Sequence, residues 1–273
     1  MKLLRRLLIG VVALVVVAYV GVLAYIYFNQ RALEYFPNGE ITQLAATPLT
    51  GATMVAIPTT DGATVNGWYQ AASAGKPVIL YYKGNSGSFS EEHERYEAFV
   101  KAGYGFLAFD YRGFPESPGE ITQQHVLDDS VAAFDWLKAK GQPIVIWGRS
   151  LGTGPATYVA GLRQADALLL ETPFLSAVTV AFERYPFLPV GLLMDDQFPV
   201  NDWIKKVDEP VFIAHGTADQ TIGVSNGQRL YQMVPHKYDL WIVEGADHGD
   251  LWARGIWDKA QTFFSDAEAG SGR

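Results

Sequence analysis

Hydrophobic positions fall into two regimes along this chain. Leu7 to Phe28 is a run of 22 residues without a charge. At about 1.5 Å per residue, a helix of that length covers the roughly 30 Å hydrocarbon core of a bilayer. Lys2, Arg5 and Arg6 precede the run, so it is expected to be a transmembrane anchor with its N-terminus in the cytoplasm. Tyr25, Tyr27 and Phe28 suit the far interface. Two other readings compete. A cleaved signal peptide has a shorter apolar stretch, usually about 7–15 residues, ending in small residues; this run ends Ala-Tyr-Ile-Tyr-Phe. A buried core helix is the third reading.

Beyond the run the pattern changes. Asn29 to Thr50 reads as a connector, with a short helix around Arg31–Tyr35 that Pro37 stops. Met54–Ile57 and Val65–Gln70 read as a hairpin about the turn Thr60-Asp61-Gly62. Short apolar runs follow at Val78–Tyr82, Phe106–Phe109, Ile144–Trp147, Ala167–Leu170, Val211–Ala214 and Leu240–Val243, the pattern of strands buried on both faces. Helical stretches fit between and after them: Glu91–Ala102, Thr122–Lys140, Thr153–Gln164, Val224–Met233 and Leu251–Phe264. An antiparallel start followed by repeated strand–helix units predicts a mostly parallel, doubly wound sheet.

One connection is longer than the rest. From Glu171 to Val207 no strand pattern appears, and the segment is rich in Phe, Leu and Pro. It reads as short helices interrupted by prolines. It is either a packed excursion or an apolar lid over a site, about 172–207, since long connections inside compact domains tend to be functional.

Composition narrows the chemistry. The chain has 273 residues, no cysteine and a net charge of −8. Zero Cys excludes disulfide scaffolds, Cys-ligated metals and thiol nucleophiles. Removing Met1–Phe28 takes away three of 21 cations and none of 29 acids, leaving an ordinary acidic domain at −11. No basic patch supports nucleic-acid binding. No H-E-x-x-H or clustered ligand set calls for a metal, and no cofactor is implied. The sequence sets no oligomeric state.

Ile144-Val-Ile-Trp-Gly-Arg-Ser-Leu-Gly152 is a strand running into Gly148-x-Ser150-x-Gly152 and then a helix. This is the strand–turn–helix context of a nucleophile elbow, where crowding at a strained turn excludes β-carbons beside the serine. A serine hydroxyl needs a base and an orienting acid. In chain order the acid and then the histidine follow the serine. His248, after the last strand in Glu244-Gly-Ala-Asp-His-Gly-Asp250, is the candidate base. His93 and His125 precede the serine, His236 lies in a charged loop, and His215 reads as a packed strand-end residue. Asp219, in Val211-Phe-Ile-Ala-His-Gly-Thr-Ala-Asp219, follows the penultimate strand and is the candidate acid; Glu171 is the reserve. Asp247, next to His248, is expected to point elsewhere. A tetrahedral intermediate needs two backbone donors. The candidates are the N–H of Leu151 and, from the glycine-containing loop Tyr82-Lys83-Gly84-Asn85-Ser86-Gly87, the N–H of Asn85. The same loop lacks the Gly-Lys-Ser/Thr spacing of a phosphate cradle.

With these motifs in hand, the chain resembles the Bem46-like α/β-hydrolases, which include mammalian α/β-hydrolase-domain proteins acting on lipids and acylated proteins. The resemblance is carried by Phe109-Asp-Tyr-Arg-Gly-Phe114 with Ser117, Gly119 and Glu120, by Gly148-Arg-Ser-Leu-Gly-Thr-Gly154, by Leu170-Glu-Thr-Pro-Phe174, by His215-Gly-x-x-Asp219 and by Gly245-x-x-His248. It spans roughly Met54 to Phe264. It implies an α/β-hydrolase fold: a mostly parallel eight-stranded sheet flanked by helices, with a small helical lid. One departure stands out: Lys83 occupies the position where the family commonly has histidine before Gly-Asn.

The expected organisation is therefore an anchor at 1–28, a connector at 29–50, a hydrolase domain at 51–266 and a flexible tail at 267–273. The expected function is a membrane-anchored serine hydrolase of carboxylic esters or thioesters with an extracytoplasmic catalytic domain and a small-molecule or lipid ester substrate. A peptidase or amidase using the same triad, and a non-catalytic binding domain, are the alternatives.

Overall fold

The structure, a computed structural model, describes residues 1–271. Helix α1 (Lys2–Glu34) leads into a hairpin of β1 (Thr53–Pro58) and β2 (Thr64–Gln70). Then follow β3 (Val78–Tyr82), α2 (His93–Lys101), β4 (Gly105–Phe109), α3 (Gln123–Lys138), β5 (Ile144–Arg149), α4 (Thr153–Ala160) and β6 (Ala167–Glu171). Three short helices, α5 (Ala177–Arg184), α6 (Val190–Leu193) and α7 (Val200–Trp203), fill the long connection before β7 (Val211–Gly216). The chain closes with α8 (Ser225–Met233), β8 (Lys237–Val243) and α9 (Ile256–Ser271).

The eight strands form one sheet in the order β1-β2-β4-β3-β5-β6-β7-β8. β2 pairs antiparallel with both β1 and β4, and all pairs from β4 to β8 are parallel. The Thr60-Asp61-Gly62 turn closes the hairpin, with Gly62 at φ 86°. Every residue of β3, β4, β6 and β7 is buried. That is why those strands read as unbroken apolar runs: both faces carry a helical layer. One core cluster lies on each face. The first gathers Leu80, Leu107, Ile146 and Leu170 with α3 and α4; the second gathers Tyr81, Trp147 and Phe212 with α2 and α9.

Several expectations need correction. β8 starts at Lys237 and is half-buried to exposed, since it is an edge strand with one neighbour. The short helix expected at Arg31–Tyr35 is the end of α1. Nothing between Phe28 and Glu34 breaks a helix, and α1 stops where Tyr35 turns extended, two residues before Pro37. α4 ends at Ala160, with Gly161 at its C-cap, rather than running to Gln164. α9 runs past residue 266, the expected end of the domain, to Ser271, and Ala267 is buried in the core. Residues 272 and 273 lie outside the described residues.

Candidate active site

Ser150 sits where β5 gives way to a 3-10 turn, Ser150–Gly152, and then α4. Its φ of 52° is left-handed, a strained conformation for a residue with a side chain. The flanking glycines make that turn possible. A β-carbon on Gly148 would lie 2.5 Å from the Gly152 carbonyl oxygen, and one on Gly152 would overlap the Tyr82 carbonyl. The elbow is thus pressed against the end of β3.

The structure brings Ser150, His248 and Asp219 together. His248, in the loop after β8, has Nε2 2.9 Å from Ser150 Oγ and Nδ1 2.8 Å from Asp219 Oδ2. A carboxylate only accepts, so Nδ1 carries the proton and Nε2 is free to accept from the serine hydroxyl. Asp219 follows β7. Its Oδ1 accepts the N–H groups of Thr221 and Ile222 at 2.9 and 2.8 Å. Burial pushes its carboxyl up, but hydrogen bonds from His215 and His248 outweigh that and hold it well below the usual carboxylate range. Asp247 turns away as expected: its Oδ1 accepts the backbone N–H groups of His248 and Gln220.

His215 is more than the packed residue its sequence context implies. It is fully buried, and its Nε2 donates to the Ile222 carbonyl at 2.8 Å while lying 3.3 Å from Asp219 Oδ2. Asp219 therefore faces two imidazoles. Gly227 of α8 makes room for the second: a β-carbon there would lie 2.5 Å from His215 Nδ1. The four-residue spacing in His215-Gly-x-x-Asp219 was the available sequence signal.

Glu171, the reserve acid, does not contact His248. Its fully buried carboxylate receives two hydrogen bonds from Arg95, at 2.9 and 3.0 Å, and one from Trp147 Nε1 at 2.9 Å. Burial raises its pKa, yet the Arg95 and Arg149 guanidinium groups bring it below the ordinary value. Glu171 is the anion of a buried ionic cluster.

The loop after β3 lies beside Ser150. A β-carbon on Gly84 would make ordinary contact, 3.6 Å, with Ser150 Cβ. Asn85 spends its side chain elsewhere: Nδ2 donates to the Glu34 carbonyl at 2.7 Å, and its own carbonyl accepts the Phe36 N–H at 2.8 Å. The supposed connector is thus strapped across this loop, with Gly87 N–H returning to the Phe36 carbonyl. Leu151, directly after Ser150, is buried. Lys83 points away from the reacting face. Its Nζ lies 3.6 Å from Asp110 Oδ1, 3.7 Å over the Phe114 ring and 3.4 Å from the Gly84 carbonyl oxygen. A cavity of 480 Å³ opens nearby between Arg31, Tyr35 and Phe36 on one side and Gly113, Gly119 and Ile121 on the other. Ser150, Asp219 and His248 are not among its lining residues.

These features agree with known proteins. A family model described as alpha/beta hydrolase fold matches residues 77–182. The chain is 32% identical over 256 residues to the uncharacterized protein Rv2307c of Mycobacterium tuberculosis, covering 92% of this chain and 91% of that one. It is 32% identical over 189 residues to the lysophosphatidylserine lipase ABHD12 of Rattus norvegicus, covering 61% of this chain and 48% of that protein. The Pyrococcus furiosus esterase Pf2001 matches with a TM-score of 0.66 and 18% identity, over 84% of this chain and 96% of that one, a likeness of fold. With its elbow, sheet order and relatives taken together, this chain belongs to the α/β-hydrolase family.

Proposed function

We propose that this protein is a membrane-anchored serine hydrolase that cleaves carboxylic esters or thioesters of acyl or lipid-like compounds. The observation that carries the reading is the unbroken hydrogen-bond chain Ser150–His248–Asp219. Ser150 Oγ attacks the acyl carbon and passes its proton to His248 Nε2. The resulting imidazolium is stabilised by Asp219, whose depressed pKa keeps it ionised. The oxyanion of the tetrahedral intermediate is held by the N–H groups of Leu151 and Asn85. His248 then gives its proton to the departing alkoxide or thiolate, leaving an acyl-enzyme. Water, deprotonated by the same nitrogen, releases the acid and restores the serine. His215 shares Asp219 with His248 and helps fix the carboxylate plane.

Anchoring rests on α1, an apolar helix with no buried residue. Lys2, Arg5 and Arg6 at its start favour a cytoplasmic N-terminus and an extracytoplasmic catalytic domain. The ester reading is supported by the lipase and esterase names of the similar proteins and by the apolar 172–207 insertion. Labelling with a fluorophosphonate probe tests the nucleophile: Ser150→Ala should abolish it, and persistent labelling would overturn the assignment. A chain-length series of p-nitrophenyl acyl esters, set against peptide amides, tests the substrate class.

A further inference from the structure

Tyr185 to Met194 is a stretch of ten residues without a charge, bounded by Glu183 and Arg184 before it and by Asp195 and Asp196 after it. Phe182, Tyr185, Phe187 and Leu192 are exposed, Leu192 by 89%. Scattered exposed apolar residues are ordinary, but a contiguous cluster marks an interaction surface. Its inner side is packed: Phe174 and Phe198 lie against Gly154 of α4, the helix that leaves Ser150.

The position of this surface along α1 identifies its partner. The Tyr19 hydroxyl donates to the Phe187 carbonyl at 2.9 Å, and α6 packs against α1. Further along, the Asp195 N–H donates to Gln30 Oε1 at 2.7 Å, Gln30 Nε2 donates to Asp195 Oδ2 at 3.2 Å, and Arg31 Nε donates to Asp196 Oδ2 at 3.3 Å. The uncharged stretch thus lies beside the uncharged run Leu7–Phe28. The acidic pair lies beside the first polar residues past its end.

Distances exclude a catalytic domain standing clear of the bilayer. Tyr19 is nine residues before Phe28, about 14 Å along the helix axis. With Leu7–Phe28 filling the roughly 30 Å core, Phe187 lies near the depth of the mid-plane. Sliding α1 until Tyr19 reaches the surface leaves only Leu7–Ala18, 12 residues or about 18 Å, and would drag Arg5 and Arg6 into hydrocarbon. The Tyr19–Phe187 hydrogen bond fits that depth, since a lone hydroxyl or carbonyl in hydrocarbon is costly.

We propose that the tip of the insertion, Tyr185–Met194, is embedded in one leaflet of the bilayer beside α1, its partner being lipid acyl chains. This rests on α1 being a bilayer-spanning anchor. The insertion then links the leaflet to α4, the helix that follows Ser150.

The native chain has no cysteine, so single sites can be labelled in the full chain. Val15→Cys, Phe187→Cys, Leu192→Cys and Ser73→Cys, each carrying an environment-sensitive NBD fluorophore, are placed in phosphatidylcholine vesicles with doxyl-lipid or aqueous iodide quenchers. The labels at Phe187 and Leu192 should follow Val15: blue-shifted, quenched by doxyl lipid and shielded several-fold from iodide. Ser73 should show the reverse. If Val15 is shielded while Phe187 and Leu192 behave as Ser73 does, the insertion lies in water and the proposal fails while the anchor stands. If Val15 itself is open to iodide, the anchor fails and the proposal with it.

Discussion

Raising the pH perturbs Lys83, and its surroundings predict opposite changes in stability and activity. The side chain is 1% exposed. Burial pulls its pKa from 10.5 down to about 8, opposed by Asp110 and, at longer range, by Glu92 and Glu91. Above pH 8 the folded protein gives up this proton while the unfolded chain keeps it. The unfolded state then binds more protons, so stability rises with pH, at about 1.4 kcal/mol per unit. From pH 8 to 9 the gain is about 1 kcal/mol, since the proton is only half lost at pH 8. Activity should move the other way. The protonated Nζ holds the Gly84 carbonyl, which belongs to the same peptide plane as the Asn85 N–H, the proposed oxyanion donor. In a trans peptide the two groups point in opposite directions, so holding one aims the other. Losing an oxyanion donor outright costs about 10²–10³ in kcat; losing only its support should cost about tenfold. The assay is kcat on a soluble short-chain ester and urea denaturation, both from pH 6.5 to 9, where an unfolded tyrosine, titrating at about 10, is still largely protonated. We expect kcat to fall about tenfold around pH 8 while the urea midpoint rises. Lys83→Arg, whose charge persists, should move the fall out of range. Lys83→Met should abolish both trends. A flat wild-type profile, or a fall that survives in Lys83→Met, refutes the reasoning.

Glu171→Gln should lower stability by about 3 kcal/mol, because the buried Arg95 guanidinium keeps only Glu92 as an anionic partner; urea denaturation measures this, and a loss of kcat at unchanged stability would instead favour a role in the chemistry. Asp219→Asn should reduce kcat about 10⁴-fold, since an amide N–H facing His248 Nδ1 favours the wrong tautomer, and should also lower the unfolding temperature, since the ionised carboxylate stabilises the fold; kcat near the wild-type value would refute the assignment. Gly152→Ala forces its methyl into the Tyr82 carbonyl, so the chain should either fail to accumulate as folded protein or lose fluorophosphonate labelling; an active, stable variant would contradict the elbow geometry.

What was legible in the sequence is what local geometry dictates. Val78–Tyr82 has the same bounds in pattern and structure because all five residues are buried, leaving no polar position to blur its ends. β8 was clipped at its start because exposed residues at a sheet edge do not read as a buried strand. The elbow was legible because close-packed backbones around a left-handed serine admit only glycine two positions before and after it. Ser150, Asp219 and His248 were then reachable from the order of strand ends. The exchange of β3 and β4 in the sheet was not, since no local pattern records which strand a later one pairs with.

The partners of the site residues were hidden for the same reason. His215 reads as a strand-end residue until α8 supplies Gly227 beside its ring, and only the fold turns its Nε2 towards Asp219. Lys83 has a side chain long enough to face either the serine or the interior. The choice is made by Asp110 and Phe114, at the end of β4 and in the loop after it, 27 and 31 positions away. Asn85 is read as a loop residue, yet its side chain is fixed by the last turn of α1. That contact ties the loop of the proposed oxyanion donor to the helix proposed to cross the membrane. Arg31 and Tyr35 tie the same helix end to Asp196 in the insertion. A tilt of α1 in a bilayer would therefore load both the Asn85 loop and the insertion, through bonds between residues 51 to 165 positions apart in the chain.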